Sequence, residues 1–324
     1  IHVTSSSLTI NNVKGMNISA GGSFLSVGKV RGIYVAGTNQ EGSYGDGKGL
    51  ASLTINNADG WENAITFKSS QAQVENAIEV KKNTGSADLS ISGMVDLYVG
   101  NDSDVITVSG GTSYYDINST PTAYIGGGAI KAGMGRAALV SGGVLSINSK
   151  LQNGELVATE GSRDVQIEGN FLVKDLQEDQ GVLTLGMNTD KSYFKGTIFN
   201  ENGSGDAYML LQNGAQWTNA SKGGYDYHGS NLKQFVGGNG AASTGYIYQN
   251  DSAALNLGNY SGYTTIFYEH GNAGTETSDY TAGNTIVDTA KAGSNITLIT
   301  NNVDTNNDAT VNAVLNALAG KLYY

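Results

Sequence analysis

The stretch Leu8-Thr9-Ile10-Asn11-Asn12 returns unchanged as Leu53-Thr54-Ile55-Asn56-Asn57, 45 positions later. Shorter apolar/polar/apolar triplets follow at Leu89-Ser90-Ile91, Leu145-Ser146-Ile147, Leu183-Thr184-Leu185, Leu255-Asn256-Leu257 and Ile296-Thr297-Leu298. In a strand such alternation sends successive side chains to opposite faces. A unit this short cannot bury its apolar face alone, so its recurrence predicts like units stacked on one another. The marker spacings fit multiples of roughly twenty residues, the scale of solenoid coils. The expectation is an all-β chain built as a parallel solenoid over residues 1–300. Some fourteen or fifteen coils, ~4.8 Å apart, would make a rod of about 65–70 Å.

On this reading Leu8, Ile10, Leu53, Ile55, Ile65, Phe67, Leu89 and Ile91 face the interior. The glycine-rich segments Gly42 to Gly49 and Gly110 to Gly135, the latter holding Pro121 and Gly126-Gly127-Gly128, are expected to leave the stack as loops. Charges between Val144 and Tyr193 are expected on solvated faces and turns. After Thr300, Val311, Val314, Leu315, Leu318 and Leu322 follow helical spacing, with Asp308 or Thr310 as cap and Gly320 as stop. Residues 301–324 are therefore expected to form a helical cap or to begin a following module.

Composition supports short strands and tight turns: 46 glycines, 18 tyrosines, one proline and 15% charged residues in 324 positions. The 39% hydrophobic content is too high for a disordered chain. With no cysteine, disulfides, zinc–thiolate sites and cysteine nucleophiles are excluded, and a thiol-free chain suits export through an oxidising compartment. A net charge of −11 argues against nucleic-acid partners, whose phosphates are bound by lysine and arginine. No stretch approaches eighteen uninterrupted apolar residues. The opening Ile1-His2-Val3-Thr4 reads as part of something longer, whose anchor is expected elsewhere.

The segment Gly196-Thr197-Ile198-Phe199, followed by Tyr208 through Asn219 (YMLLQNGAQWTN), resembles the late coils of bacterial autotransporter passenger domains. In those coils an apolar strand, an Asn or Gly turn and an Ala-x-Trp step recur. The run from Ile296-Thr297-Leu298 to Tyr324 is similar to a segment of large autotransporter-like surface adhesins. The resemblance covers roughly the last 130 residues specifically. It implies a right-handed parallel β-helix of the pertactin/AIDA-like type, displayed on the bacterial cell surface and joined to the outer membrane by a β-barrel or anchor outside this chain. The implied role is adhesion and biofilm formation, through a glycan or protein receptor on host or neighbouring bacterial cells or through homotypic association.

Catalytic patterns are sparse. The three histidines, His2, His228 and His270, are dispersed, and no G-x-S-x-G elbow or H-E-x-x-H pair occurs. Gly42 to Lys48 imitates a phosphate loop, but Gly49 stands where the Ser or Thr should be. Asp304, Asn306 and Asp308 open like an EF-hand, but Ala309 replaces the glycine and Leu315 the bidentate glutamate. Asn188-Thr189-Asp190 matches one tripeptide of pectin hydrolases without its companion motifs. The chain is therefore expected to be non-catalytic and to need neither cofactor nor metal. A self-associating rod and a polysaccharide lyase or hydrolase are the alternatives.

Tyrosine supplies apolar area with a hydrogen-bonding tip at low entropic cost, which suits sugar faces and protein surfaces. The turn Lys222 to Ser230 sets Tyr225, Asp226, Tyr227 and His228 between glycines and is the first candidate for ligand binding. Tyr114, Tyr115 and Tyr124, expected in the first long loop, are the second. Tyr246, Tyr248, Tyr260, Tyr263 and Tyr268 crowd the later strands, where they can serve the stack itself.

Overall fold

The computed structural model describes the chain except residues 20–28, 38–48, 84, 112–119, 160, 162, 250–251 and 269–282; from 301 on it describes 306, 308, 311–312, 315–316 and 322–323. The chain is mostly β, with parallel sheets. Its strands form long parallel ladders. The first runs through Ser7–Val13, Ala51–Asn57, the start of Ala87–Val99, the start of Thr122–Ala132, Val144–Ile147, Val182–Met187, Asp206–Leu211, Gln234–Val236, Asn259–Ser261 and Thr289–Ala290. The second runs from Met16–Ile18 through the ends of the same two long strands to Asn295–Thr300. A third holds seven strands, from His2–Thr4 to Ile198–Asn200, and a four-stranded set starts at Gly229–Asn231. Only the hairpin Ser149–Gln152 with Glu155–Ala158 pairs antiparallel among the named strands.

Register explains the repeats. Leu8, Leu53, Leu89, Ala123, Leu145, Leu183 and Ala207 stand directly above one another in the first ladder. Two positions on, Ile10, Ile55, Ile91, Ile125, Ile147, Leu185, Met209, Phe235 and Tyr260 form a second column. The Ile296 triplet belongs to the second ladder and Leu255 to the four-stranded set. A like side chain on each rung therefore buries its neighbours, and these columns join those of the other ladders in one core. The predicted interior positions Leu53, Ile55, Ile65, Phe67, Leu89 and Ile91 are all buried. Leu8 and Ile10 are not: Leu8 is 41% exposed and Ile10 half-buried, because they lie on the terminal described rung and have a stacking partner on one side only.

The asparagines of the repeat shape its exits. Asn12 turns the chain with φ 58°, the left-handed region that asparagine tolerates. Asn57 is buried; its amide nitrogen donates to the Met94 carbonyl at 3.0 Å, and its side-chain oxygen accepts from Gly93 N at 2.9 Å. Backbone polar groups that leave the ladder are thereby paired by a side chain from the rung beside them.

Three expectations are corrected. The first ladder has ten described rungs, not fourteen or fifteen, since successive rungs of its isoleucine column lie between 22 (Ile125 to Ile147) and 45 (Ile10 to Ile55) positions apart. The antiparallel hairpin lies within one of the longer intervals, between Ile147 and Leu185. Gly126 to Gly128 is not in a loop but inside the strand Thr122–Ala132, where the chain passes from the first ladder to the second. Gly128 has φ 115°, and a Cβ there would meet the Val95 carbonyl at 2.0 Å, so the crossing needs glycine. Finally, Leu322 is not on a helix: Asp308, Val311, Asn312, Leu315 and Asn316 are helical, but Leu322–Tyr323 is a strand paired with Thr285–Ile286. The phosphate-loop mimic and Asp304 lie outside the described residues.

Candidate functional site

The turn between Gln216–Thr218 and Gly229–Asn231 is held from below by one side chain. Asn170 is fully buried. Its carboxamide oxygen accepts from Thr197 N (3.1 Å), Thr197 Oγ1 (3.2 Å) and Lys222 N (2.9 Å). Its nitrogen donates to Lys222 O (2.8 Å), Tyr225 O (3.0 Å) and Ser221 Oγ (3.2 Å). Ser221 Oγ in turn donates to Tyr225 O at 2.7 Å and accepts from Tyr227 N at 3.0 Å, while Gly224 N reaches Met134 O at 2.7 Å. The glycine-flanked segment is thus a turn pinned by hydrogen bonds.

On that base the rings form a stack. Tyr227 lies against Phe199 (4.7 Å between centroids, 12° between planes), and Tyr225 lies against Tyr227 (6.0 Å, 6°). The Arg136 guanidinium sits 4.7 Å from the Tyr225 centroid and donates to the Tyr227 hydroxyl at 3.3 Å. Asp104 holds Arg136 in bidentate fashion, at 2.7 and 2.9 Å. Burial alone would lower the Arg136 pKa, but hydrogen bonding to Asp104, with the Tyr227 hydroxyl adding to it, carries it above the ordinary value. Asp226 and His228 point to solvent, with side chains 79% and 84% exposed and 3.8 Å between them. The turn therefore offers a partly exposed Tyr225 ring with a carboxylate and an imidazole beside it, on a hydrogen-bonded base.

Of the sequence candidates, the structure brings Tyr225, Asp226, Tyr227 and His228 together. Tyr114 and Tyr115 lie outside the described residues. Tyr124 was expected in a loop and is instead on the outer side of the strand Thr122–Ala132, flanked in register by Ser90 and Ser146. It lines a separate groove of about 640 Å³ with Lys150, Thr159 and Arg163. Arg136, Asp104, Asn170 and Phe199 were missed, because nothing within Gly135-Arg136 or Gly169-Asn170-Phe171 distinguishes it from other turns in an Asn/Gly-rich chain.

Two of the later tyrosines belong to the core. Tyr260 and Tyr268 are 3% and 1% exposed, with hydroxyls bonded to Asn295 O (2.7 Å) and Thr285 Oγ1 (2.6 Å). Burial pushes the Tyr260 phenol up to about 12. A group whose pKa is raised on folding contributes stability below its unfolded value, about 10, and that contribution is lost as pH climbs through 12. Urea midpoints should fall between pH 10 and 12, and Tyr260→Phe should flatten that decline. An unchanged slope in the variant would mean that the phenol is solvated.

Among the described residues no group of three His, Asp or Glu side chains could hold a metal ion, and no helix is long and apolar enough to cross a membrane. No family model, curated protein or solved structure matches the chain.

Proposed function

We propose that this chain is the binding segment of a bacterial cell-surface adhesin of the autotransporter type, a right-handed parallel β-helix that displays loops for non-catalytic attachment. The order of the ladders supports the fold reading: the chain visits the first, second and third in turn and then returns to the first. Ten rungs at ~4.8 Å would give a body about 45 Å long, which small-angle scattering would report as elongated. The observation that carries the function is the pinned turn. An aromatic ring, a carboxylate and an imidazole are presented outward from a backbone that Asn170 already holds, which lowers the entropic cost of binding on the main chain. The receptor is a glycan or protein on host or neighbouring bacterial cells, and the role is attachment and biofilm formation. Homotypic pairing of two rods is the competing arrangement, which sedimentation would reveal as a concentration-dependent dimer.

Replacing Tyr225 and Tyr227 together by alanine should reduce cell attachment tenfold or more. It should lower stability by only about 1–2 kcal/mol, through lost ring stacking and the Arg136 contact. Wild-type attachment by the folded double variant would remove this turn as the binding site.

A further inference from the structure

The outer face of the second ladder carries a small grid of side chains. One outward row runs Asp96, Ala129, Gln166 on successive rungs, and the row beside it runs Lys68, Tyr98, Lys131. Ala129 is the short member at the centre of its row, so a dip forms there, walled by Trp61 from the turn Trp61–Asn63. The hollow measures about 530 Å³, inside the roughly 300–1,000 Å³ range of small-ligand sites.

Two features point to its ligand. The first is exposed aromatic surface: Trp61 is 40% exposed, whereas Trp217, the other tryptophan, is fully buried in the core. The second is charge balance. Lys68 is 2.5 Å from Asp96, and Lys131 is 3.2 Å from Glu168. Hydrogen bonding to Tyr193 comes first among the effects that keep Lys131 protonated, against the opposing effect of burial. Each cation already faces a carboxylate, so an anion would find no uncompensated charge. What the hollow offers is fixed donors (two ammoniums and an amide), fixed acceptors (a carboxylate and an amide) and two aromatic side chains.

We propose that this hollow is a binding site for a neutral pyranose saccharide, with Trp61 and Tyr98 meeting the ring's C–H face and Asp96, Gln166 and Lys131 meeting its hydroxyls. A sugar hydroxyl both donates and accepts, which matches this mixed set, and its apolar face matches an aromatic ring. The proposal rests on the adhesin reading and gives it a glycan class, adding a contact on the ladder to the one assigned to the turn.

The test is titration calorimetry of the folded chain with cellotetraose, maltotetraose and chitotetraose, with polygalacturonate as the acidic comparison. At least one neutral oligosaccharide should bind saturably and shift the tryptophan emission. Trp61→Ala should weaken that binding tenfold or more, and Gln166→Ala should weaken it severalfold, with circular dichroism unchanged. Absence of saturable binding to all three neutral probes, preference for the polyanion, or undiminished binding by both folded hollow variants would overturn the site. Cell attachment separates the two readings. If Trp61→Ala attaches normally while the Tyr225/Tyr227 variant does not, the adhesin reading stands without this hollow; if the wild type binds sugar through Trp61 but attaches to no cells, the hollow stands and the adhesin reading falls.

Discussion

Replacing Lys82 by methionine should destabilise the fold by about 3–5 kcal/mol, the range for removing one partner of a buried ion pair. Lys82 ends the strand Val74–Lys82, and its ammonium lies 3.1 and 3.2 Å from the two oxygens of Asp179, 97 positions along the chain. The side chains are 2% and 9% exposed. Space for Asp179 is made partly by Gly142, whose φ is 65° and whose added Cβ would stand 3.0 Å from the aspartate Cβ. Without the lysine, the carboxylate stays buried and loses its ion-pair partner. Lys82→Met combined with Asp179→Leu should recover most of the loss, since two apolar side chains remove both desolvation penalties. Ladder proteins unfold with near-neighbour cooperativity, so amide exchange is the better gauge. Protection should drop most along Val74–Lys82 and little along Gly245–Gln249. A single variant that loses less than about 1 kcal/mol at its own strand would show that the pair is solvated in solution.

That pair also marks where sequence reading stops. The LTINN repeat exposed the ladder because identical residues recur at one register position, and identical side chains are the simplest way to make a column. The same column accepts Met209, Phe235 and Tyr260, and the neighbouring one accepts Ala123 and Ala207. Volume can be traded between columns, so the later rungs carry no copy of LTINN; the expected rung count was too high because described rungs lie 22 to 45 positions apart, not about twenty. Gly126 to Gly128 misled for a related reason: glycine marks loops, but it also marks places where two backbones approach too closely for a Cβ. For the turn, Tyr225 to His228 was legible from composition, whereas the side chains beneath it come from three other parts of the chain. Lys82 and Asp179, or Asn170 and Tyr225, are joined only once the rungs are stacked. Trp61 had no reading of its own in the sequence, because its exposure depends on the short Ala129 in the rows beside it.

Asn170→Ala should cost about 3–4 kcal/mol and should release the Tyr225 turn as well. The side chain is fully buried and satisfies groups on two segments: Thr197 in its own stack, and Ser221, Lys222 and Tyr225 in the turn. Each buried group left without a partner costs about 1–3 kcal/mol, and two, Thr197 N and Thr197 Oγ1, lose the partner that Asn170 supplies. Asn170→Asp separates the two roles. A carboxylate still accepts from Thr197 N and Lys222 N but cannot donate, so Lys222 O and Tyr225 O would face like partial charge. The aspartate variant should therefore keep protection at the Thr197 amide and lose it at Tyr227, whereas the alanine variant loses both. Attachment should fall in both variants if a preordered Tyr225 face is what the receptor meets. Full protection of the Tyr227 amide in Asn170→Ala would mean that the Arg136 stack holds the turn unaided, and the ordering assigned to Asn170 would then pass to Arg136 and Asp104.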